Sequence, residues 1–251
     1  MLHGSVENGR VFYSDSGKGL APYLAEQGFD VYVGDLRGRG LSQPPLGKAS
    51  RYGQTEQITE DIPAFLRKIR SPCYARFPEF RGSVHSMVCF ATKRRIHVFN
   101  WRKFLVIDLF WNLGAPFLIK LWGYLPMVEL GIGADNESAL SQAQNRAWVR
   151  AGSPWIDPKD GFDYGAALRP LKVPPTLHLV GVADHYLGNP RDVQDFIRET
   201  HPTRFEFRVL SRRHGNRRDY GHADLLTCAE AREDHFPWVV SWLKDGVIRP
   251  E

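Results

Sequence analysis

Phe29-Asp30-Val31-Tyr32-Val33-Gly34-Asp35-Leu36-Arg37-Gly38-Arg39-Gly40-Leu41-Ser42 is the stretch on which the reading of this chain turns. Phe29 to Val33 is a short β-prone run, and the glycines that follow end it in a turn. Just upstream, Leu20, Tyr23 and Leu24 share one face of a helix over 20–27, and Gly28 stands where a helix C-terminus commonly places glycine. Helix, strand, then a glycine-rich loop at the strand's C-terminal end is an α/β arrangement, and ligands in such folds gather at those strand ends.

The alternation continues outward. Thr55 to Ile69 predicts an amphipathic helix with Ile58, Ile62, Phe65, Leu66 and Ile69 on one face. Val84 to Ala91 and Thr176 to Val182 predict strands; the core of the first, Met87 to Ala91, is a continuous apolar run of the kind buried parallel strands carry. Asn189-Pro190 opens a helix as N-cap and first helical residue, with Val193, Phe196 and Ile197 inward. Arg204 to Leu210 alternates Phe205, Phe207 and Val209 against charged residues, as a strand does, and His235 to Lys244 predicts the last helix. The expected fold class is α/β, a mostly parallel sheet flanked by helices. Its core comprises residues 1–94 and 172–251, and 95–171 is a helical insertion rich in Trp, Gly and Pro.

Composition narrows the partners. The chain has 251 residues, 43% hydrophobic and 24% charged, which is ordinary for a globular protein with a sizeable core. The net charge of +5 permits acidic partners without establishing them. Two basic clusters, Lys93-Arg94-Arg95 and Arg212 to Arg218, read as solvated loops or strand ends; the sharper reading of the second is a greeting for an anionic substrate. No basic stripe interleaves with aromatics, so nucleic acid is not an expected partner. The three cysteines, Cys73, Cys89 and Cys228, form no metal-binding spacing and no paired framework, which fits a cytoplasmic setting. Phe104 to Gly133 is the most apolar region, but Asp108, Pro116, Lys120, Pro126 and Glu129 interrupt it, so no transmembrane segment is expected. Asp157 to Asp163 lacks the spacing and closing Glu of a calcium loop and reads as a turn.

Three motifs carry chemistry. His3-Gly4 stands near the start, Asp35-x-Arg37-Gly38-x-Gly40-x-Ser42 follows a predicted strand, and Asp184 and His222 each fall just past a later one. In these residues and their order, over nearly its whole length, the chain resembles the α/β-hydrolase family. There an HG pair ends an early strand and helps form the oxyanion hole, the D-x-R-G-x-G-x-S loop follows the next strand, and an Asp and a Gly-His pair follow the last two. The resemblance implies an ester or acyl hydrolase of the Ser-His-Asp type, with His222 as base and Asp184 orienting it. His3, Gly4 and Ser5 would form the oxyanion loop. It implies no cofactor and no metal, a small acyl or ester substrate with an apolar portion, lipid-like ones included, and a cap built from 95–171. The last pair is also sound on physical grounds: a nucleophilic hydroxyl needs an imidazole to take its proton, and the imidazole needs a carboxylate to fix its tautomer.

The nucleophile is where the chain departs from the pattern. G-x-S-x-G is absent. Its nearest look-alike, Gly82-Ser83-Val84-His85-Ser86-Met87-Val88, would make Ser86 the nucleophile, but Val88 and Cys89 stand where glycines allow close backbone approach. The helix ending at Ile69 resembles the one before the family's nucleophile strand, and Tyr74 to Glu79 resembles the end of the helix after it. Only Arg70 to Cys73 lie between, so the elbow reads as deleted; a degenerate elbow at Ser86 and an unusual nucleophile such as Ser71 or Cys73 are the other readings. Only Met1 and Leu2 precede His3, so the first strands of the sheet read as missing too. The functional readings are therefore an acyl hydrolase, or a catalytically inactive hydrolase-like protein that serves in binding or is a truncated product.

Overall fold

A computed structural model describes residues 1–69 (backbone only over 66–69), 84–150 and 152–248. Its main sheet is parallel, in the order β1 (Met87–Phe90), β4 (Thr176–Gly181), β5 (Phe205–Leu210), with β4 in the middle. β4 is buried along its whole length because its sequence, TLHLVG, offers apolar side chains to both faces. β5 lies at the edge and leaves Phe205 half exposed. α6 (Pro190–Thr200) crosses from β4 to β5. The Asn189 side chain caps its first turn on the Arg191 amide, and Val193 and Ile197 pack inward against Leu177, Leu179 and Val180. α1 (Leu20–Glu26) and α8 (Phe236–Asp245) meet through Tyr23 and Phe236, whose rings are 5.5 Å apart.

The expected strand at Phe29 to Val33 does not form a ladder. Beyond the helix that precedes it, among the described residues only the bridge Leu2–Gly34, the bond from the Gly34 amide to the Met1 carbonyl (3.0 Å) and the bond from the Met1 ammonium to the Tyr32 carbonyl (2.5 Å) tie it to a neighbour. A strand needs a partner along its length, and among the described residues none runs beside it. β1 is also shorter than Val84 to Ala91, and among the described residues its edge away from β4 carries no ladder. Arg70, Ser71, Cys73 and Tyr74 to Glu79, on which the deleted-elbow reading rests, lie outside the described residues.

The Asp35 to Gly40 loop holds the fold together. Asp35 accepts the Gly9 amide at 2.6 Å and the Leu41 amide at 3.1 Å. Gly40 has φ +49°, and a β-carbon there would sit 2.2 Å from the Asp35 carboxylate, so glycine is required twice over. Arg37 bonds Asp61 (2.7 Å) and Glu60 (2.6 Å) on α2, the helix over 54–69. Arg39 is buried against Glu137 at 2.5 Å.

Glu137 belongs to the insertion, where β2 (Tyr124–Leu125) pairs antiparallel with β3 (Glu137–Ser138). The interruptions read from the sequence do not break its first helix. α3 (Trp101–Trp122) is continuous over 22 residues, wound more widely over Phe104–Gly114, and Pro116 falls in the first turn of the tighter stretch that follows. Gln142 and Arg146 of α4 (Ala139–Val149) donate to the Trp111 and Asn112 carbonyls at 2.9 and 3.2 Å. Ala115, Leu125 and Met127 form a second small core there. Asp157 is a buried turn residue that accepts Thr55 Oγ1 at 2.7 Å and the Tyr164 hydroxyl, from α5 (Tyr164–Leu168), at 2.8 Å. The first basic cluster is not a solvated loop: Arg94 is buried, bidentate on Glu199 and bonded to the Trp148 and Ser153 carbonyls.

His178, in the middle of β4, is 2% exposed with neither ring nitrogen bonded, and burial pushes its pKa down to about 4. The unfolded chain protonates this ring near its ordinary value of about 6.5, so the unfolded state holds the extra proton between that pH and 4. Stability is therefore full above pH ~6.5 and falls by roughly 3 kcal/mol on acidification to pH ~4 from this group alone. Denaturant unfolding across that range measures it. His178→Leu removes that portion of the slope, leaving what His3 and His235, also held below their ordinary pKa by burial, contribute. An unchanged slope in the variant would refute the assignment.

Candidate functional site

Asp184 follows β4 by three residues, in a turn closed by its own amide on the Gly181 carbonyl. Its carboxylate accepts the Leu187 amide at 3.0 Å, bonds the Gly188 amide, and meets His222 Nδ1 at 2.5 Å. A carboxylate only accepts, so Nδ1 carries the proton and Nε2 presents a lone pair. The Asp184 side chain is 2% exposed and the His222 side chain 41%, and Nε2 has no hydrogen-bond partner among the described residues. Burial opposes the charge on Asp184. The His222 bond, the Gly188 amide and the nearby Lys93 charge outweigh it and hold the carboxyl below its ordinary range.

His222 reaches Asp184 because of what β4 lacks. A β-carbon on Gly181 would lie 2.0 Å from the Tyr220 carbonyl oxygen and 2.6 Å from its carbon. In its absence Tyr220 presses on the strand end, and its carbonyl accepts the Ala183 amide at 2.9 Å. Tyr220 is itself buried, with its hydroxyl on Asp234 at 2.7 Å. The Gly221 amide bonds Asp224 at 2.9 Å at the start of α7 (Asp224–Thr227). The second basic cluster is knitted into the same region: Arg217 pairs with Glu233 at 2.5 Å and Arg218 with Asp224 at 3.4 Å.

The oxyanion candidates sit on the first loop. His3 is buried; its Nε2 accepts the Leu36 amide at 3.1 Å, so its Nδ1 donates to the Gly4 carbonyl at 2.9 Å. Desolvation lowers its pKa, consistent with that neutral tautomer. His3 thus joins the Gly4 loop to the Asp35 loop. Gly4 is exposed, and among the described residues the amides of Gly4 and Ser5 have no acceptor. Ser5 Oγ is held by Asn145 of the insertion at 2.9 Å.

Ser86 is not brought to this group. It immediately precedes β1, whose first residue pairs with Thr176 at the start of β4, whereas Asp184 lies beyond the end of β4 at Gly181. Five residues of strand separate those levels, roughly 16 Å at ~3.3 Å per residue. A residue the sequence did not point to stands nearer. Glu7 is close enough to His222 and Arg39 for both charges to pull its pKa down, but burial dominates and raises it. Its stretch, Ser5 to Asn8, carries only the marks of a loop.

Residues 1–73 match a family model described as the alpha/beta hydrolase fold. Over its length the chain is similar to a thermophilic esterase from Thermogutta terrifontis, at TM-score 0.52 and 17% identity, covering 97% of this chain and 88% of that one. It is similar also to the thioesterase domain from the curacin biosynthetic pathway, at TM-score 0.51 and 16% identity, covering 92% and 86%. No curated protein sequence matches it. The chain has the α/β-hydrolase fold.

Gly181→Ala tests how the site is assembled. The β-carbon meets backbone rather than a side chain, so the Tyr220 segment has to move. The variant loses about 3 kcal/mol, the upper end for an inserted methyl, with the 220–222 segment displaced from Asp184. Wild-type stability together with an unmoved His222 would contradict this reading.

Proposed function

We propose that this chain hydrolyses an ester or related acyl substrate with an apolar portion, with His222 as general base and Asp184 as its orienting carboxylate. The observation that carries the reading is the 2.5 Å contact between a buried carboxylate and the Nδ1 of an imidazole whose Nε2 is open. Asp184 fixes the tautomer and stabilises the imidazolium formed when Nε2 takes a proton. The amides of Gly4 and Ser5, which have no acceptor among the described residues, are the donors for the developing oxyanion. Residues 95–171 serve as the cap over the site. The fold of the esterase and thioesterase neighbours agrees with acyl transfer chemistry, and free thiols at Cys89 and Cys228 agree with a cytoplasmic setting.

With Ser86 at the far end of β1, the group that His222 activates is sought in residues 70–83, which hold Ser71, Cys73 and Ser83. A second reading rests on a specific observation: among the described residues no Ser, Thr or Cys side chain hydrogen-bonds His222. In that reading the chain is an inactive hydrolase-like binding protein.

Turnover of p-nitrophenyl esters from acetyl to decanoyl separates the two. The hydrolase shows turnover above background that drops by ~10²–10⁴-fold in His222→Ala, the usual worth of a positioned base. A fluorophosphonate probe followed by peptide mapping then labels residues 70–83. Labelling at Ser86 would overturn the positional argument, and absence of both turnover and labelling would leave the binding protein.

A further inference from the structure

α3 is unusual for a helix on a folded domain. Trp101, Leu105, Leu109, Leu113, Phe117 and Leu121 recur every four residues, and all are between 40 and 68% exposed. The wide winding over Phe104–Gly114 keeps this four-residue repeat near one face, where an ordinary α-helix would carry it steadily round the axis. Only 11% of the most apolar 18-residue window is buried. Phe99, at 73% exposed, extends the patch at one end and Trp122 at the other. A contiguous apolar surface of this length marks an interaction site rather than ordinary scatter.

The helix is long and apolar enough to cross a membrane, but it is fastened along its side. Ala115 is fully buried against Leu125 and Met127, Gln142 and Arg146 hold the Trp111 and Asn112 carbonyls, and Asn100 just before it bonds the His185 carbonyl at 2.6 Å. A helix held flank-on lies along a surface.

Its charges choose among partners. Lys103 and Asp108 neutralise each other at 2.7 Å, and Glu129 in the adjoining loop bonds Tyr124 and Asn136. Arg102 and Lys120 are exposed and have no ionic partner among the described residues. They sit near the two ends, beside Trp101 and Trp122. A second copy packed on this face sets cation against cation in either orientation: Arg102 against Arg102 and Lys120 against Lys120 if parallel, Arg102 against Lys120 if antiparallel. An anionic headgroup layer neutralises both, receives the terminal tryptophans at its interface and takes up the apolar row between them.

We propose that α3 is an in-plane membrane anchor by which this chain docks on a bilayer containing anionic lipid. The proposal requires no turnover and stands apart from the hydrolase reading.

Flotation of the intact chain with phosphatidylcholine vesicles carrying about a third phosphatidylglycerol tests it. The wild-type chain floats with these vesicles and less with pure phosphatidylcholine. Leu113→Glu with Phe117→Glu cuts bound protein at least tenfold, and Arg102→Glu with Lys120→Glu abolishes the preference for anionic lipid. Both double variants change exposed positions, and their unfolding midpoints are measured beside the wild type to show that they fold. A wild-type chain that floats with neither vesicle overturns the proposal. So does a folded Leu113→Glu/Phe117→Glu variant that floats undiminished, or one that turns a dimer into a monomer without losing vesicles.

Discussion

The Tyr220 carbonyl occupies the space where any side chain on Gly181 would be, and the candidate site depends on that contact. The turn after β4 supplies the Asp184 carboxylate; the segment after β5 supplies the His222 imidazole. The two ends meet only because the last residue of β4 has no β-carbon. Around the contact, Tyr220 is fixed to Asp234 and Asp184 to the amides of Leu187 and Gly188, so neither partner is free to drift. Both groups arrive on segments fixed by packing and hydrogen bonds, so their contact needs no reorganisation.

A second layer of constraint joins the first loop to the insertion. Arg39 and Glu137 are buried together, and Asp35, His3 and Asn145 tie Gly9, Leu36 and Ser5 into the same knot. Removing one partner of such a buried pair costs about 3–5 kcal/mol because the other charge is left stranded. The D-x-R-G-x-G loop thus ties the first loop to the insertion, and through His3 it positions the Gly4 loop.

The sequence carried the order of the elements and the placing of Asp184 and His222 after strands, where the two side chains meet. A continuous apolar run announced β1, Asn189-Pro190 announced α6, and Asp184 and His222 each fell just past a predicted strand. What it did not carry follows from partners that lie far along the chain. Phe29 to Val33 has strand composition, but among the described residues no strand pairs with it. Arg94 looks like part of a solvated cluster until Glu199 and two carbonyls enclose it. The breaks at Asp108, Pro116 and Lys120 suggested an interrupted apolar region, yet Lys103 cancels Asp108 and the change of winding admits Pro116 near a new helical start. The glycine at 181 gave no local signal, because the atom it makes room for belongs to a residue 39 positions away.

The most direct measurement of the central claim is the proton on His222 Nδ1, observed by nuclear magnetic resonance in the intact chain with labelled imidazoles. A protonated Nδ1 bonded to a buried carboxylate gives a strongly downfield proton that exchanges slowly, assigned through its loss in His222→Ala and shifted upfield in Asp184→Asn. A resonance at the position of solvent-exposed imidazoles, unaffected by Asp184→Asn, would mean that the acid and the base do not meet.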